Sequence, residues 1–277
     1  MVNLTLTQKN KMIKNLNVYV INLKDQKFKR EKIKGVLNNF SFNYEFFDAY
    51  DGRNSSTNDY DGYNDFKRKL FLGRSLFPQE LGTFESHRLL LKKIIKEQIQ
   101  LALIFEDDVE INAEFEKYVS KIIQIKYKWD LIRFISREKI NKIKGRKVYQ
   151  IDKKVSLYRF PKLLGEAHAY LVTYDGAKKI LKLTQDFYHH IDIIMGETWK
   201  NNLNSLFCLP GFVCQDPKLN IEAKNHPRFV KKSKSLFEIY AWSRFFFKLY
   251  ETIGKWIHYS YLFIPDIITY YKSKKIK

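Results

Sequence analysis

Short apolar runs alternate with helix-length amphipathic stretches through most of this chain, the pattern of strands and helices taken in turn. Residues 17–23, NVYVINL, are β-branched and aromatic and predict a first strand. Asp25 is placed to cap a helix through about Asn38, with Ile33, Val36 and Leu37 inward and Lys27, Lys29, Arg30 and Lys32 outward. Residues 42–47 predict a second strand running into DAYDG at 48–52, where Gly52 lets the chain turn. Strand, helix and strand in so short a span make a βαβ unit and imply a parallel sheet. From 53 to 78 the pattern dissolves into Asn, Ser, Asp, Gly and Tyr and then FKRKLFLGR, which reads as a flap near a site. Periodicity returns at Gln79, and LGTFESHRLLLKKIIKEQ predicts a helix with Leu81, Phe84, Leu89, Leu91, Ile94 and Ile95 inward.

Residues 101–111, LALIFEDDVEI, organise the rest. Five apolar residues run straight into Glu106, Asp107 and Asp108, as a buried strand does when it ends at a ligand crevice. Three adjacent carboxylates repel one another and stay ionised most easily around a divalent cation or a cationic ligand. A solvated turn, with Asp108 or Asn112 capping the next helix, fits this stretch equally well. A helix is expected from Asn112 to about Ile125, a buried strand at 129–134, a hairpin from 147–151 and 155–160, and a strand at 165–173. A short basic helix follows at 176–183, then a helix within 189–201 and a strand and turn in FCLPGFVCQD.

The last forty or so residues change character. Arg244, Lys248, Glu251, Lys255 and His258 recur at steps of four and three and share one helical stripe, while the other faces are Phe, Tyr, Trp, Leu and Ile. Arg228, Lys231, Lys232 and Lys234 flank it before, and Lys272, Lys274, Lys275 and Lys277 after. This is the pattern of an interfacial membrane anchor; a C-terminal helix packed on the domain with its polar side in water has the same periodicity.

Composition narrows the picture little. A chain of 277 residues has room for one large α/β domain and an appendage, divided here as a 1–16 extension, a 17–230 domain and a 231–277 tail. A formal charge of +20 points to an anionic partner, whether nucleic acid, anionic lipid or a phosphorylated substrate. Two cysteines, Cys208 and Cys214, are too few for a disulfide framework and fit a reducing cytoplasm. The N-terminal stretch lacks the apolar core of a secretory signal, and no window is long and apolar enough to span a bilayer.

Several pieces recur together in a characteristic order: VYVINLKDQKFKREKI at 18–33, YEFFDAYDG at 44–52, LGTFESH at 81–87, LIFEDDVEI at 103–111, WDLI at 129–132 and EAHAYLVTYDGAKKIL at 166–181. In these the chain resembles glycosyltransferase family 25, the bacterial lipooligosaccharide and lipopolysaccharide glycosyltransferases whose animal relatives act on collagen. The resemblance implies a single Rossmann-like α/β domain of GT-A type with a mostly parallel central sheet. It also implies a UDP-sugar donor, usually UDP-galactose, inversion at the sugar carbon, and Mn²⁺ or Mg²⁺ held by the acidic motif. Two departures stand out: Thr83 where the family often has Cys, expected to concern packing, and His190 before Ile191 and Asp192 where it often has Pro, which bears on the acceptor side.

On that reading Asp108, with Glu106, holds the metal, and Glu106 and Asp107 assist the donor. Asn22, Arg30, Asp48 and Asp51 are placed for the nucleotide, although Arg30 reads equally as a solvated helix residue. Asp192 is the expected base for the acceptor hydroxyl, with Glu166 and Glu197 in reserve. Ser86 and His87 gain weight from the LGTFESH motif, and His168 and His226 are further candidate ligands. The implied protein is a cytoplasmic enzyme, peripheral on the inner face of the membrane, that acts on a glycan or glycolipid and binds no nucleic acid. The competing readings are a basic nucleic-acid-binding protein, from the charge and the 22 Phe and 18 Tyr, and a non-catalytic membrane scaffold.

Overall fold

The computed structural model describes residues 16–136, 143–161, 164–216, 218–219 and 241–275. The expected N-terminal extension, apart from Leu16, and His226, Lys277 and the basic cluster at Arg228, Lys231, Lys232 and Lys234 lie outside the described residues.

The strands are β1 (Asn17–Asn22), β2 (Tyr44–Asp48), β3 (Leu101–Glu106), β4 (Val109–Ile111), β5 (Leu131–Phe134), β6 (Arg146–Gln150), β7 (Ser156–Arg159), β8 (Ala169–Thr173), β9 (Ser205–Leu209) and β10 (Val213–Gln215). The helices are α1 (Lys27–Leu37), α2 (Asp65–Leu72), α3 (Pro78–Lys96), α4 (Phe115–Ile122), α5 (Tyr174–Leu183), α6 (Ile191–Ile194), α7 (Thr198–Asn201), α8 (Ala241–Tyr261) and α9 (Phe263–Lys275). An eight-stranded mixed sheet has the order β2-β1-β3-β8-β5-β9-β7-β6, and β4 and β10 form a separate ribbon. The parallel part implied by the βαβ opening is β2-β1-β3; β8 then runs antiparallel to both β3 and β5.

Alternation along the strands builds three layers. Val18, Val20, Leu103, Phe105, Ile132 and Phe134 face one core with Ile33 and Leu37 of α1 and Phe115, Val119 and Ile122 of α4. Tyr19, Ile21, Ala102, Ile104, Tyr170 and Val172 face the other, under α3, α5 and α6. Leu90, rather than the half-buried Leu89, takes the inward place on α3. Thr83 is exposed, so its departure from the family pattern leaves the core untouched.

Several boundaries differ from expectation for identifiable reasons. Gln26, not Asp25, stands at the N-cap of α1, and the Asp25 carboxylate pairs with Arg53 at 2.6 Å. The segment after the acids first forms β4, so the helix expected from Asn112 begins at Phe115. The stretch read as a flap contains α2, capped by the Asn64 side chain accepting from Lys67 N–H and ended by Gly73 at φ 84°. Gly52 serves close approach rather than a turn: a Cβ there would lie 2.2 Å from the Pro78 carbonyl and 2.9 Å from Gly82.

The C-terminal region is two helices, and its amphipathicity is turned around. Glu251 is buried against the domain, Arg244, Lys255 and His258 are half-buried, and Lys248 remains exposed. The large residues face outward instead, with Trp242 72%, Trp256 51% and Tyr261 74% exposed. The arrangement with the polar side in water is therefore not the one adopted. Arg146 and Arg159, from the β6-β7 hairpin, both bond the buried Asp266 of α9. Phe247 of α8 stacks on Phe71 of α2 with ring centroids 4.4 Å apart. Among the described residues no helix is long and apolar enough to cross a membrane.

Candidate active site

Strand register gathers the site. Asn22 lies opposite Asp48, and Ile21 opposite Glu106, so the carboxyl ends of β2, β1 and β3 form one edge. Because β8 is antiparallel to β3, with Ala169 opposite Phe105, the residues that precede it, Glu166 and His168, reach that same edge. The Glu106 N–H donates to the His168 carbonyl at 2.9 Å. Open α/β sheets carry their ligand crevices at such carboxyl ends.

The three consecutive acids take separate partners. Glu106 bonds the buried His87, whose Nε2 is 3.2 Å away and whose Nδ1 is 2.9 Å from the Tyr170 hydroxyl. One neutral tautomer serves both contacts, Nε2–H donating to Glu106 and Nδ1 accepting from Tyr170. Asp107 accepts from Asn22 Nδ2 at 2.7 Å and has Lys29 Nζ at 3.6 Å. Asp108 accepts from Gln215 Nε2 at 3.0 Å, while its carbonyl accepts the Asp216 N–H at 2.7 Å. Asp108 Oδ1 and Asn22 Oδ1 are buried and complete no hydrogen bond.

Negative charge here is incompletely neutralised. Burial, then the charges of Glu106 and Asp107, push Asp108 up to about 7 against the opposing pull of Lys29 and Gln215. Burial raises Asp107 as well, Lys29 and Asn22 only partly offsetting it. Burial also opposes ionisation of Glu106, but the His87 hydrogen bond and nearby cationic charge hold it below the usual carboxylate range.

The expected base lies on the β8 side of this edge. Asp192 accepts from the Glu166 N–H at 2.8 Å and from its own neighbour Ile193 N–H at 2.7 Å. Glu166 has φ 85°, a conformation that costs a non-glycine residue about 1–3 kcal/mol and clusters at functional sites. Its Oε2 is 3.8 Å from His168 Nε2. The buried Arg133 donates to the Leu164 and Asp192 carbonyls, fixing the loop that carries Glu166. Thus contacts run from His87 through Glu106, His168 and Glu166 to Asp192.

The nucleotide candidates are less uniform. Asn22 is buried in the edge. Asp48 is exposed and paired with Lys24 at 3.1 Å, and Asp51 is held by Arg53 at 2.6 Å, which keeps its carboxyl down at about 2. Arg30 is half-buried and stacks on the Phe46 ring at 4.1 Å, and it pairs with no acid among the described residues. Ser86 donates to the Gly82 carbonyl and accepts the Tyr50 N–H, anchoring the loop after β2. His190 lies against Arg68, at 3.4 Å, and Glu80, at 3.7 Å. Glu197 does not join this edge but meets His189 and Glu251, whose candidate ligand atoms all lie within 4.8 Å of one another, a grouping able to hold a metal ion.

Sequence reasoning passed over Lys29, Gln215, Asp216 and Tyr170. Lys29 and Lys32 lie one turn apart on α1, and Lys32 pairs with the buried Asp216. The sequence signal for Gln215 and Asp216 was a polar pair closing the apolar run FVC, much as the acids close the apolar run of β3.

A mixed α/β sheet with partly buried, incompletely neutralised carboxylates at its carboxyl edge puts them where open α/β sheets bind their ligands. The profile of glycosyltransferase family 25 (LPS biosynthesis protein) matches residues 15–195, and the chain belongs to that family. Similar proteins include a glycosyltransferase 25 family member from Aedes aegypti, 27% identical over 181 residues, 60% of this chain and 28% of the relative. Procollagen galactosyltransferase 1-A of Xenopus laevis is 28% identical over 184 residues, 59% of this chain and 28% of the relative. The human inactive glycosyltransferase 25 family member 3 is 26% identical over 181 residues, again 59% and 28%. The match thus spans less than a third of these relatives' own length.

Proposed function

We propose that this chain is an inverting, metal-dependent glycosyltransferase of GT-A type, moving a sugar, galactose from UDP-galactose, onto a lipooligosaccharide or related glycan acceptor. Residues 17–230 form the transferase domain and 231–277 an appendage that rests on the membrane. The observation that carries the reading is the buried, under-neutralised carboxylate edge within the family match. Procollagen galactosyltransferase 1-A and the inactive family member 3 match the same share of this chain, 59%, so activity rests on the residues themselves.

The donor set fits a hard divalent cation. Asp108 offers a buried oxygen without a hydrogen-bond partner and Glu106 a second carboxylate, and oxygen ligands are what Mn²⁺ and Mg²⁺ prefer. A cation bound there supplies Lewis-acid stabilisation of the departing diphosphate. The chain's own residues prepare the place: His87 orients Glu106, Gln215 orients Asp108, and Asn22 and Lys29 hold Asp107. Asn22, Arg30, Asp48 and Asp51 belong to the donor side. Asp192 takes the proton of the acceptor hydroxyl, kept in position by two backbone N–H groups, one of them from Glu166, while the buried His87 acts through Glu106.

The appendage meets an anionic lipid surface. Its exposed rings are joined in sequence by the exposed Lys272, Lys274 and Lys275 at the end of α9, which would combine ring burial at the headgroup boundary with charge attraction. The cytoplasmic leaflet is the surface of that chemistry.

The deciding experiment measures sugar release or transfer from UDP-galactose with and without Mn²⁺. Wild-type protein is expected to turn over only with the metal, and Asp108→Ala to lose about 100-fold or more. A folded Asp108→Ala that retained full activity would refute the metal assignment. A folded wild type that neither binds nor cleaves any UDP-sugar would favour the non-catalytic scaffold.

A further inference from the structure

We propose that His189, Glu197 and Glu251 form a second metal site, separate from the carboxylate edge, which takes a divalent first-row transition cation and clamps α8 to the domain. The three ligands come from three elements: the segment before α6, the N-cap of α7 and the middle of α8. All three are buried, and their ligand atoms lie within 4.8 Å of one another. His189 Nε2 is 3.3 Å from Glu251 Oε1 and 3.7 Å from Glu197 Oε1. A tetrahedral ion with bonds of about 2.0–2.2 Å holds its ligand atoms about 3.3–3.6 Å apart, so the His189–Glu251 separation already suits one and the His189–Glu197 separation is slightly long.

An ion-pair network alone leaves the centre unexplained. Lys255 lies 3.5 Å from the outer oxygen of Glu251, Oε2, while Lys200 binds Glu197 at 2.8 Å on Oε1, the oxygen that faces His189, and so holds the place an ion would take. Yet His189 Nε2 and Glu251 Oε1, both buried, face each other at 3.3 Å without the alignment of a hydrogen bond, and neither finds another hydrogen-bond partner. Buried polar atoms in that condition are costly, and a cation between them relieves both at once. One imidazole nitrogen and two carboxylate oxygens are a mixed set that suits Zn²⁺ or Mn²⁺ better than Ca²⁺ or Mg²⁺, whose preferred ligands are all oxygen. A cavity of about 220 Å³, lined in part by His189, Glu197 and Lys200, gives an ion and its water a route to the triad.

Lys200 is a competitor for Glu197, and this makes the proposal sharp. Replacing it by Met removes a positive charge from the rim and should tighten binding, whereas removing a ligand should weaken it. The test is calorimetric titration of Zn²⁺ and Mn²⁺ into the chelator-stripped full chain, with thermal unfolding in parallel, in an Asp108→Ala background that removes the other site. One ion is expected to bind and to raise the midpoint by about 5 °C at 100 times its Kd. His189→Asn should weaken binding at least about tenfold, and Lys200→Met should strengthen it. Absence of binding in the Asp108→Ala background, or an affinity unchanged by either substitution, would overturn the site. Should His189→Asn fail to fold, Lys200→Met alone decides, since its expected effect is a gain.

Discussion

Two regions of this protein bury carboxylates and treat them in opposite ways. Asp266 on α9 receives Arg146 at 2.7 Å and Arg159 at 2.9 Å, and Arg146 also donates to the Tyr259 carbonyl and lies over the Tyr259 ring. At the end of β3, by contrast, three consecutive acids share Lys29, a His87 hydrogen bond and two amide side chains, and Asp108 is pushed up to about 7. A matched buried charge fixes one element against another. An unmatched one is a standing demand for a cation, and such perturbed groups gather where ligands bind.

Breaking the matched region should have the largest effect on the fold. Asp266→Ala strands two buried guanidinium groups and is expected to lower stability by roughly 3–5 kcal/mol, read by urea unfolding. A loss below about 1 kcal/mol would mean that Asp266 is no more tightly matched than a surface pair, and the contrast would vanish.

The unmatched region should answer in the other direction. Asp108 holds its proton more tightly in the folded protein, at about 7, than at its ordinary 3.8. The unfolded chain therefore binds fewer protons between these values, and the stability of the metal-free protein falls as pH rises through that window. Asp108→Asn removes the ionisation and should be the more stable protein at pH 8 by roughly 1–3 kcal/mol, with the advantage gone near pH 4. Unfolding curves at both pH values check the sign; a variant less stable than wild type at pH 8 would show that the acid is adequately paired.

How much of this was legible follows from what a one-dimensional pattern carries. The βαβ opening and the buried β3 were readable because their apolar residues are continuous or alternate and end at charge. That Glu166 and His168 share an edge with Glu106 was not, because it depends on β8 entering antiparallel between β3 and β5, a pairing no local sequence encodes. Helix α2 was hidden by its polarity, although Asn64 at its start and Gly73 at its end were the signals. In the tail the polar stripe was found by its spacing, but spacing defines two faces without saying which turns inward. His189 meeting Glu251, and Thr198 meeting His258 at 3.2 Å, decide that the polar face docks.

That inversion gives the smallest effect on stability and the cleanest test of what the outer face is for. Trp242, Phe246 and Trp256 are 72%, 58% and 51% exposed, so replacing each by Ser should move stability by no more than about 0.5 kcal/mol. If the face meets lipid, the triple substitution should nevertheless abolish sedimentation with vesicles rich in phosphatidylserine. Lys274→Glu with Lys275→Glu should weaken binding by about 1 kcal/mol per charge removed, and only on anionic vesicles. Binding by aromatic insertion alone would survive the charge reversals and appear on neutral vesicles; binding by charge alone would survive the serines. A protein indifferent to both sets would have an outer face with another purpose, and the pairing of a polar docking surface with an aromatic lipid surface would fail.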